Sequence, residues 1–189
     1  MSISKHALGA ALFAMAATGL GAGVAPAAAK SVMVGGAPML PTKNIIENAV
    51  NSKDHTTLVA AIKAAGLVDT LSGPGPFTGF APTNGAFGKL PAGTVETLVK
   101  PESKEVLTGI LTYHVVSGAM DSKAIAKAIK AGKGKATLKT VAGGDLTATM
   151  SGRKLKLIDA KGGASTVTIA NVYQSNGVIH VVDTVLMPQ

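Results

Sequence analysis

The chain contains no cysteine and no tryptophan, and only two tyrosines and four phenylalanines in 189 residues. Without cysteine there is no disulfide framework, no thiolate nucleophile, no Cys-ligated zinc and no lipid-bearing N-terminal Cys. With so few aromatics, the core must be assembled from Val, Ile, Leu and Ala. Acidic residues are also scarce, 10 against 18 Lys and Arg, a formal net charge of +8. They are scattered and show no EF-hand spacing, and His55, His114 and His180 lie far apart, so no metal site is expected. No serine sits in a Gly-x-Ser-x-Gly setting, and no nucleophile, base and orienting acid converge, so no catalytic residue is expected. Gly143-Gly144 lies between strand patterns and not before a helix carrying Lys-Ser/Thr, which makes it a hairpin and not a phosphate cradle; no cofactor is expected.

Long apolar runs are limited to the N-terminus. Lys5 and His6 form a short basic start, Ala7 to Val24 is small and apolar, and Ala27-Ala28-Ala29 offers a cleavage site. Residues 1–29 therefore read as an export signal, leaving no transmembrane anchor after cleavage. Lys30 to Pro41 has Gly and Pro but no periodicity, and residues 30–42 read as a flexible leader. What remains, residues 43–188, has the length of one domain with one core. A composition of 47% hydrophobic and 15% charged residues argues for a packed globule.

Patterning changes along this domain. Ile45, Ile46, Ala49 and Val50 make a short helical stripe. Asp54 precedes a second helix with Leu58, Val59, Ile62 and Ala65 on one face and Gly66 at its end. Phe77 to Phe80 reads as a strand ended by Pro82, with Thr83 or Asn84 capping the helix after it. A helix from Pro101 buries Val106, Leu107, Ile110 and Leu111, then yields to a strand, Tyr113-His114-Val115-Val116. Asp121 caps a helix with Ile125, Ala128 and Ile129 inward and Lys123, Lys127 and Lys130 outward. From Lys135 onward the period is two, with Gly pairs between closely spaced hairpins, and Asn176-Gly177 marks the last turn. Val178, Ile179, Val181 and Val182 make the final strand apolar on both faces, as expected of a strand covered on both sides. Helices first, then mixed, then strands indicate an α+β fold.

Charge is equally uneven. Between Asp121 and Lys161 stand ten basic residues (Lys123, Lys127, Lys130, Lys133, Lys135, Lys139, Arg153, Lys154, Lys156 and Lys161) against Asp121, Asp145 and Asp159. That segment carries 10 − 3 = +7, and the rest of the chain after the export signal, from Lys30 onward, sums to zero. It holds no aromatic on which bases could stack, and nucleic acid is not expected as a partner.

Three stretches carry a resemblance to a known family. Phe77-Thr78-Gly79-Phe80-Ala81-Pro82-Thr83-Asn84-Gly85-Ala86-Phe87, Leu111-Thr112-Tyr113-His114-Val115-Val116 and Asn176-Gly177-Val178-Ile179-His180-Val181-Val182-Asp183 resemble, in that order, the signatures of the fasciclin domain. The chain is most similar to the small secreted single-domain bacterial members. The resemblance implies mainly antiparallel β-sheets, in a sandwich-like arrangement, wedged against several short helices. It implies export to the cell surface, matrix or periplasm, and adhesion or binding in place of catalysis. It marks Phe80, Ala81, Pro82, Thr83, Asn84, Phe87, His114, Asn176, Gly177, His180 and Asp183 as family-motif structural positions. It also places Tyr113 and His114 near an adhesive surface. Two residues depart from the pattern: Gly79, where a β-branched or apolar residue is usual, and Gly85, where an acid is frequent.

Alternation along a strand sends Tyr113 and His114 to opposite faces, and a histidine in an apolar segment usually holds a hydrogen-bond partner. His114 is expected to bond a group near Thr83, Asn84 or the final strand. His180 and Asp183 fall on opposite faces and read as structural, with Asp183 capping a turn at the strand end. The basic residues Lys123, Lys127, Lys130, Arg153, Lys154 and Lys156 offer a patch for anionic glycans or other polyanionic surfaces. The reading is thus an exported, monomeric, non-enzymatic module for adhesion to cell-surface or matrix proteins or glycans. The alternative is a periplasmic or extracellular carrier or sensor of a small apolar ligand, held in a groove between sheet and helices.

Overall fold

The computed structural model describes residues 30–189. The expected export signal, residues 1–29, lies outside them.

The expected leader is structured. β1 (Val32–Val34) and β2 (Ala37–Met39) pair antiparallel across Gly35 and Gly36, whose φ of 58° and 78° suit a primed two-residue turn. Val34 and Met39 are buried against Val172 and Val181. Strands of three residues are too short to display alternation, so a Gly-Gly turn between them reads as linker.

Short helices follow. α1 (Ile45–Ala49) opens with a capping box in which Asn44 and Glu47 exchange side-chain-to-backbone hydrogen bonds. A 3-10 turn over Lys53–His55 leads into α2 (Thr56–Ala65), which ends on left-handed Gly66. Asp54 lies inside that turn and caps nothing. α3 (Val68–Ser72) precedes β3 (Phe77–Pro82), α4 (Asn84–Gly88) and α5 (Thr94–Leu98). α6 (Lys104–Tyr113) buries Leu107, Ile110, Leu111 and Tyr113, whereas Val106 is 59% exposed, off the buried stripe. Then come β4 (Val115–Ser117) and α7 (Ser122–Ala131), with Ile125 and Ile129 inward. The chain finishes in β5 (Lys135–Lys139), β6 (Asp145–Ser151), β7 (Lys154–Ile158), β8 (Ala164–Gln174) and β9 (Gly177–Val182).

These last elements and β3 and β4 form a seven-stranded sheet in the order β4-β3-β9-β8-β7-β6-β5. All its pairs are antiparallel except β3 with β9. The two ends approach each other: Val116 bridges Thr140, and Val141 N–H donates to the Val115 carbonyl at 2.7 Å. The sheet thus curls into a barrel-like form, and the expected sandwich is corrected accordingly. The strands from β5 to β8 are long enough to coil, and coiling brings β5 round to β4. The α+β class itself holds.

β9 lies between β3 and β8 in the middle of the sheet, and its two apolar faces look into two different cores. Val182 enters a core with Phe80, Tyr113, Ile125, Leu146 and Leu157, enclosed by the curled sheet and α7. On the other face, Ile179 and Val185 join Leu58, Ile62, Phe87, Leu107 and Leu111 beneath the helices. The turn into β9 is Ser175-Asn176, one residue earlier than expected, because Gln174 pairs with Gly177. Gly177 is needed for another reason: a Cβ there would stand 2.2 Å from the Phe77 carbonyl oxygen of the adjacent strand.

Candidate functional site: a basic groove and a buried hydrogen-bonded frame

Tyr113 and His114 do not lie on a strand. Tyr113 is the last residue of α6, and His114 is its C-cap; the strand begins at Val115. Apolar spacing continues unbroken from the helix into the strand, so residue pattern alone misplaces the junction. Both side chains are buried, Tyr113 at 0% and His114 at 4% exposure, so neither presents a contact surface. The Tyr113 hydroxyl donates to the Asp145 carbonyl at 2.6 Å and accepts from Ala160 N–H at 3.1 Å, tying α6 to the start of β6 and to the β7–β8 connection.

His114 joins Ile110 to the segment after β9. Leu186 N–H donates to its Nε2 at 3.0 Å, which requires Nδ1 to carry the hydrogen that faces the Ile110 carbonyl at 2.8 Å. Of the three expected places, neither Thr83 nor Asn84 supplies the partner; Leu186 does, from the segment just past the final strand. Burial lowers its pKa to about 4, despite the opposing influence of the Ile110 carbonyl and Asp159.

His180 is fully buried and stacks on Phe80, its register partner, with ring centroids 5.6 Å apart. Its Nε2 lies 2.9 Å from the Met120 carbonyl, and Nδ1 faces Asn171 N–H at 3.4 Å. Burial holds its pKa below the usual histidine range. Asn171 sits at a bulge of β8 in the left-handed region (φ 60°) and bonds both the backbone N–H and the hydroxyl of Ser122. This clamps the start of α7 to the sheet.

Asp183 ties β9 to the start of β8, accepting from Thr166 N–H at 2.8 Å, with Lys89 at 3.8 Å. Burial opposes its ionisation, but the Thr166 N–H, the Thr184 hydroxyl, Lys89 and the Ser165 hydroxyl together hold its pKa below the ordinary value.

The remaining motif polar residues join separate elements. Thr83 caps its own helix, accepting from Ala86 N–H at 3.2 Å. Asn84 caps a different one: its Oδ1 accepts from Thr57 N–H at 3.0 Å at the start of α2, and its Nδ2 donates to the Lys53 carbonyl. Asn176 accepts from Ile45 N–H and donates to the carbonyls of Leu71 and Gly73. Phe80, Ala81, Pro82 and Phe87 are buried around this frame. At Gly79 the Ile179 side chain takes the space a Cβ would need, its Cδ1 lying 2.6 Å from that position.

The basic residues are distributed differently. Lys123, Arg153 and Lys154, from the first turn of α7 and the β6–β7 hairpin, line one groove of about 560 Å³ together with Ser122 and Thr168. No carboxylate is among the lining residues. Lys127 and Lys130 are exposed further along α7, and Lys156 is half-buried on β7; none of the three lines that groove. Among the described residues, the ion pairs are Lys89–Asp183 and Lys139–Asp145, so these six basic side chains carry uncompensated charge. Among the described residues no helix is long and apolar enough to cross a membrane, and no group of His, Asp and Glu could hold a metal ion.

A curled sheet with a parallel β3–β9 pair, buttressed by short helices through buried histidine and asparagine side chains, defines a structural class that comparison with known proteins resolves. Residues 53–188 match the fasciclin domain model, and the chain belongs to that family. It is 46% identical over 159 residues to Protein sll1483 of Synechocystis sp., covering 84% of this chain and 81% of that one. It is 38% identical over 145 residues to immunogenic protein MPB70 of Mycobacterium bovis, covering 74% of this chain and 66% of that one. It is 37% identical to the cell surface glycolipoprotein MPB83 of the same species, across 74% and 58% of the two chains. A FAS1 domain pair from the insect cell adhesion molecule fasciclin I superimposes with a TM-score of 0.69 at 18% identity, over 78% of this chain and 52% of that one. The last comparison establishes the shared fold.

Proposed function

We propose that this protein is an exported, non-enzymatic adhesion or surface-interaction module whose basic groove takes an anionic glycan or a similar polyanionic chain of the cell surface or matrix. The observation that carries this reading is the convergence of Lys123, Arg153 and Lys154 from two separate elements on one groove with no carboxylate among its lining residues. A cleft lined by one sign of charge concentrates and steers oppositely charged partners. Two relatives point the same way: one is named a cell surface glycolipoprotein and a structural neighbour a cell adhesion molecule. The motif histidines are held in hydrogen bonds inside the fold, which favours a non-catalytic role. The basic residues on the exposed face of α7, Lys127 and Lys130, extend the positive field beyond the groove.

The test is retention on a heparin column at low salt. The protein should be retained and elute as salt rises, and a Lys123→Gln, Arg153→Gln, Lys154→Gln triple variant should flow through with its melting temperature unchanged. Lack of retention by the unmodified protein at low salt would overturn the reading.

A further inference from the structure

The groove that gathers Lys123, Arg153 and Lys154 has an apolar floor. Of its ten lining residues, five are apolar: Ala126, Met150, Leu155, Val167 and Ala170. Met150 stands opposite Leu155 in the β6–β7 register, so both side chains share one face of the sheet. That face is the inner one. Leu155 and Val167 belong to the core that also holds Ile125 and Ile129 of α7, and Ala170 packs against it. Along β6, Met150 continues the alternating row of Leu146 and Ala148, which are fully buried, yet Met150 is 40% exposed. The inner face of the sheet therefore reaches solvent beside the first turn of α7.

Two kinds of surface thus share one hollow. The three cations have no ion-pair partner among the described residues, and Ser122 and Thr168 add hydroxyls beside them. Asp121, next to Ser122 in the chain, has its carboxylate engaged by Ala124 N–H at 2.7 Å and by the Tyr173 hydroxyl at 3.3 Å. A wholly hydrophilic anion would meet the cations and leave the floor bare; a plain hydrocarbon would do the reverse. Open apolar surface rimmed by polar residues marks a binding site, and an unbranched, polarizable methionine adapts readily to an alkyl chain. The volume of about 560 Å³ falls in the range of pockets that take a drug-sized ligand. For the head, a phosphate monoester carries about −1.5 to −2 charges at neutral pH and accepts paired hydrogen bonds from an arginine. One Arg with two Lys suits it better than a singly charged carboxylate.

We infer that the groove binds a single-chain lipid ending in a phosphate, its head among Lys123, Arg153 and Lys154 and its alkyl chain along Met150, Leu155, Val167 and Ala170. The inference rests on the same groove as the reading above, but needs no polyanionic chain.

The experiment is an NMR titration with octyl phosphate below its micelle concentration, and separately with butyl phosphate and octan-1-ol. It reads the methyls of Met150 and Ala126 and the amides of Arg153 and Lys154, where saturable shifts are expected. Octyl phosphate should bind about tenfold more tightly than butyl phosphate, because its four further methylenes lose water on the floor. Octan-1-ol, without the head, should bind at least about tenfold more weakly than octyl phosphate, the range of charge-assisted hydrogen bonds. Met150→Gln should weaken octyl phosphate about threefold, the range of a partly buried side chain, and leave butyl phosphate and heparin retention unchanged. Equal affinities for the two phosphates, octan-1-ol binding as tightly as octyl phosphate, or shifts outside the groove would each overturn the inference. The chain-length comparison uses the unmodified protein and decides the matter should Met150→Gln fail to fold. Heparin retention with equal affinities for the two phosphates would remove the lipid and leave the polyanion. Loss of heparin retention with octyl phosphate still preferred would remove the polyanion and uphold the lipid.

Discussion

The two halves of this domain use their polar residues in opposite ways. In the half built from α1 to α6, β3 and β9, the polar residues of the family motifs turn inward. His114 joins Ile110 to Leu186, Asn84 joins β3's exit to α2, and Asn176 joins the last hairpin to α1 and α3. In the half built from α7 and β5 to β8, the leucines and isoleucines turn inward and the lysines turn out. The first half resembles a frame fastened at a few points of high cost; the second is a hydrophobic shell with a cationic surface. Charge on that surface is free to change without disturbing the core, whereas the buried hydrogen bonds are not. Recognisable motifs therefore lie in the half that holds the fold together, and the surface suited to a partner lies in the other.

The contrast is sharpest at His114. His114→Ala leaves Leu186 N–H and the Ile110 carbonyl unpaired and opens a void, and should cost about 3 kcal/mol of stability in chemical unfolding. An unchanged unfolding midpoint would mean that the frame is not fastened there.

Acid should act on the same half. With a folded pKa of about 4 against 6.5, His114 contributes no pH dependence above 6.5, where it is neutral in both states. Below 6.5 the unfolded chain takes up a proton that the folded one refuses, so stability falls until about pH 4 and then levels off with respect to this group. The loss should be on the order of 3 kcal/mol across that window. His55 and His180, also lowered by burial, act in the same direction. Thermal melts at pH 7 and pH 4.5 would check this; equal melting temperatures would contradict it.

Asn84→Ala removes a cap supplied to α2 from another element and should destabilise by about 1 kcal/mol. Hydrogen exchange at the start of α2 should rise selectively, which distinguishes it from loss of a local turn at α4. The smallest effect on stability is expected where the effect on binding is largest. Neutralising Lys123, Arg153 and Lys154 should change unfolding free energy by less than about 0.5 kcal/mol while removing heparin retention. A large loss of stability would show that the two halves are not independent.

How much of this was legible beforehand depends on the range of each interaction. α7 was readable in full, because Asp121, the buried Ile125 and Ile129 and the outward lysines all act within one helix. The strands β5 to β8 were equally readable, since alternation against one core is a local signal. Val106 stays exposed although it is apolar, because hydrophobicity does not say which side of α6 the rest of the fold will occupy. The hairpin at Val32–Met39 leaves no local signal, because its strands acquire their meaning only from Val172 and Val181, far along the chain. Of the basic residues, the sequence could cluster all six, but only folding brought Lys123 beside Arg153 and Lys154.

By itself, then, the sequence determined the class of fold, the composition of the core, the family and the segment that holds the excess charge, because periodicity, caps and motif order are properties of neighbours along the chain. The tertiary structure decided the barrel-like closure, the burial of Tyr113 and His114, the foreign cap from Asn84, and the groove with its apolar floor. Each of these depends on which distant backbone or side chain arrives opposite a given residue, and no local pattern encodes that.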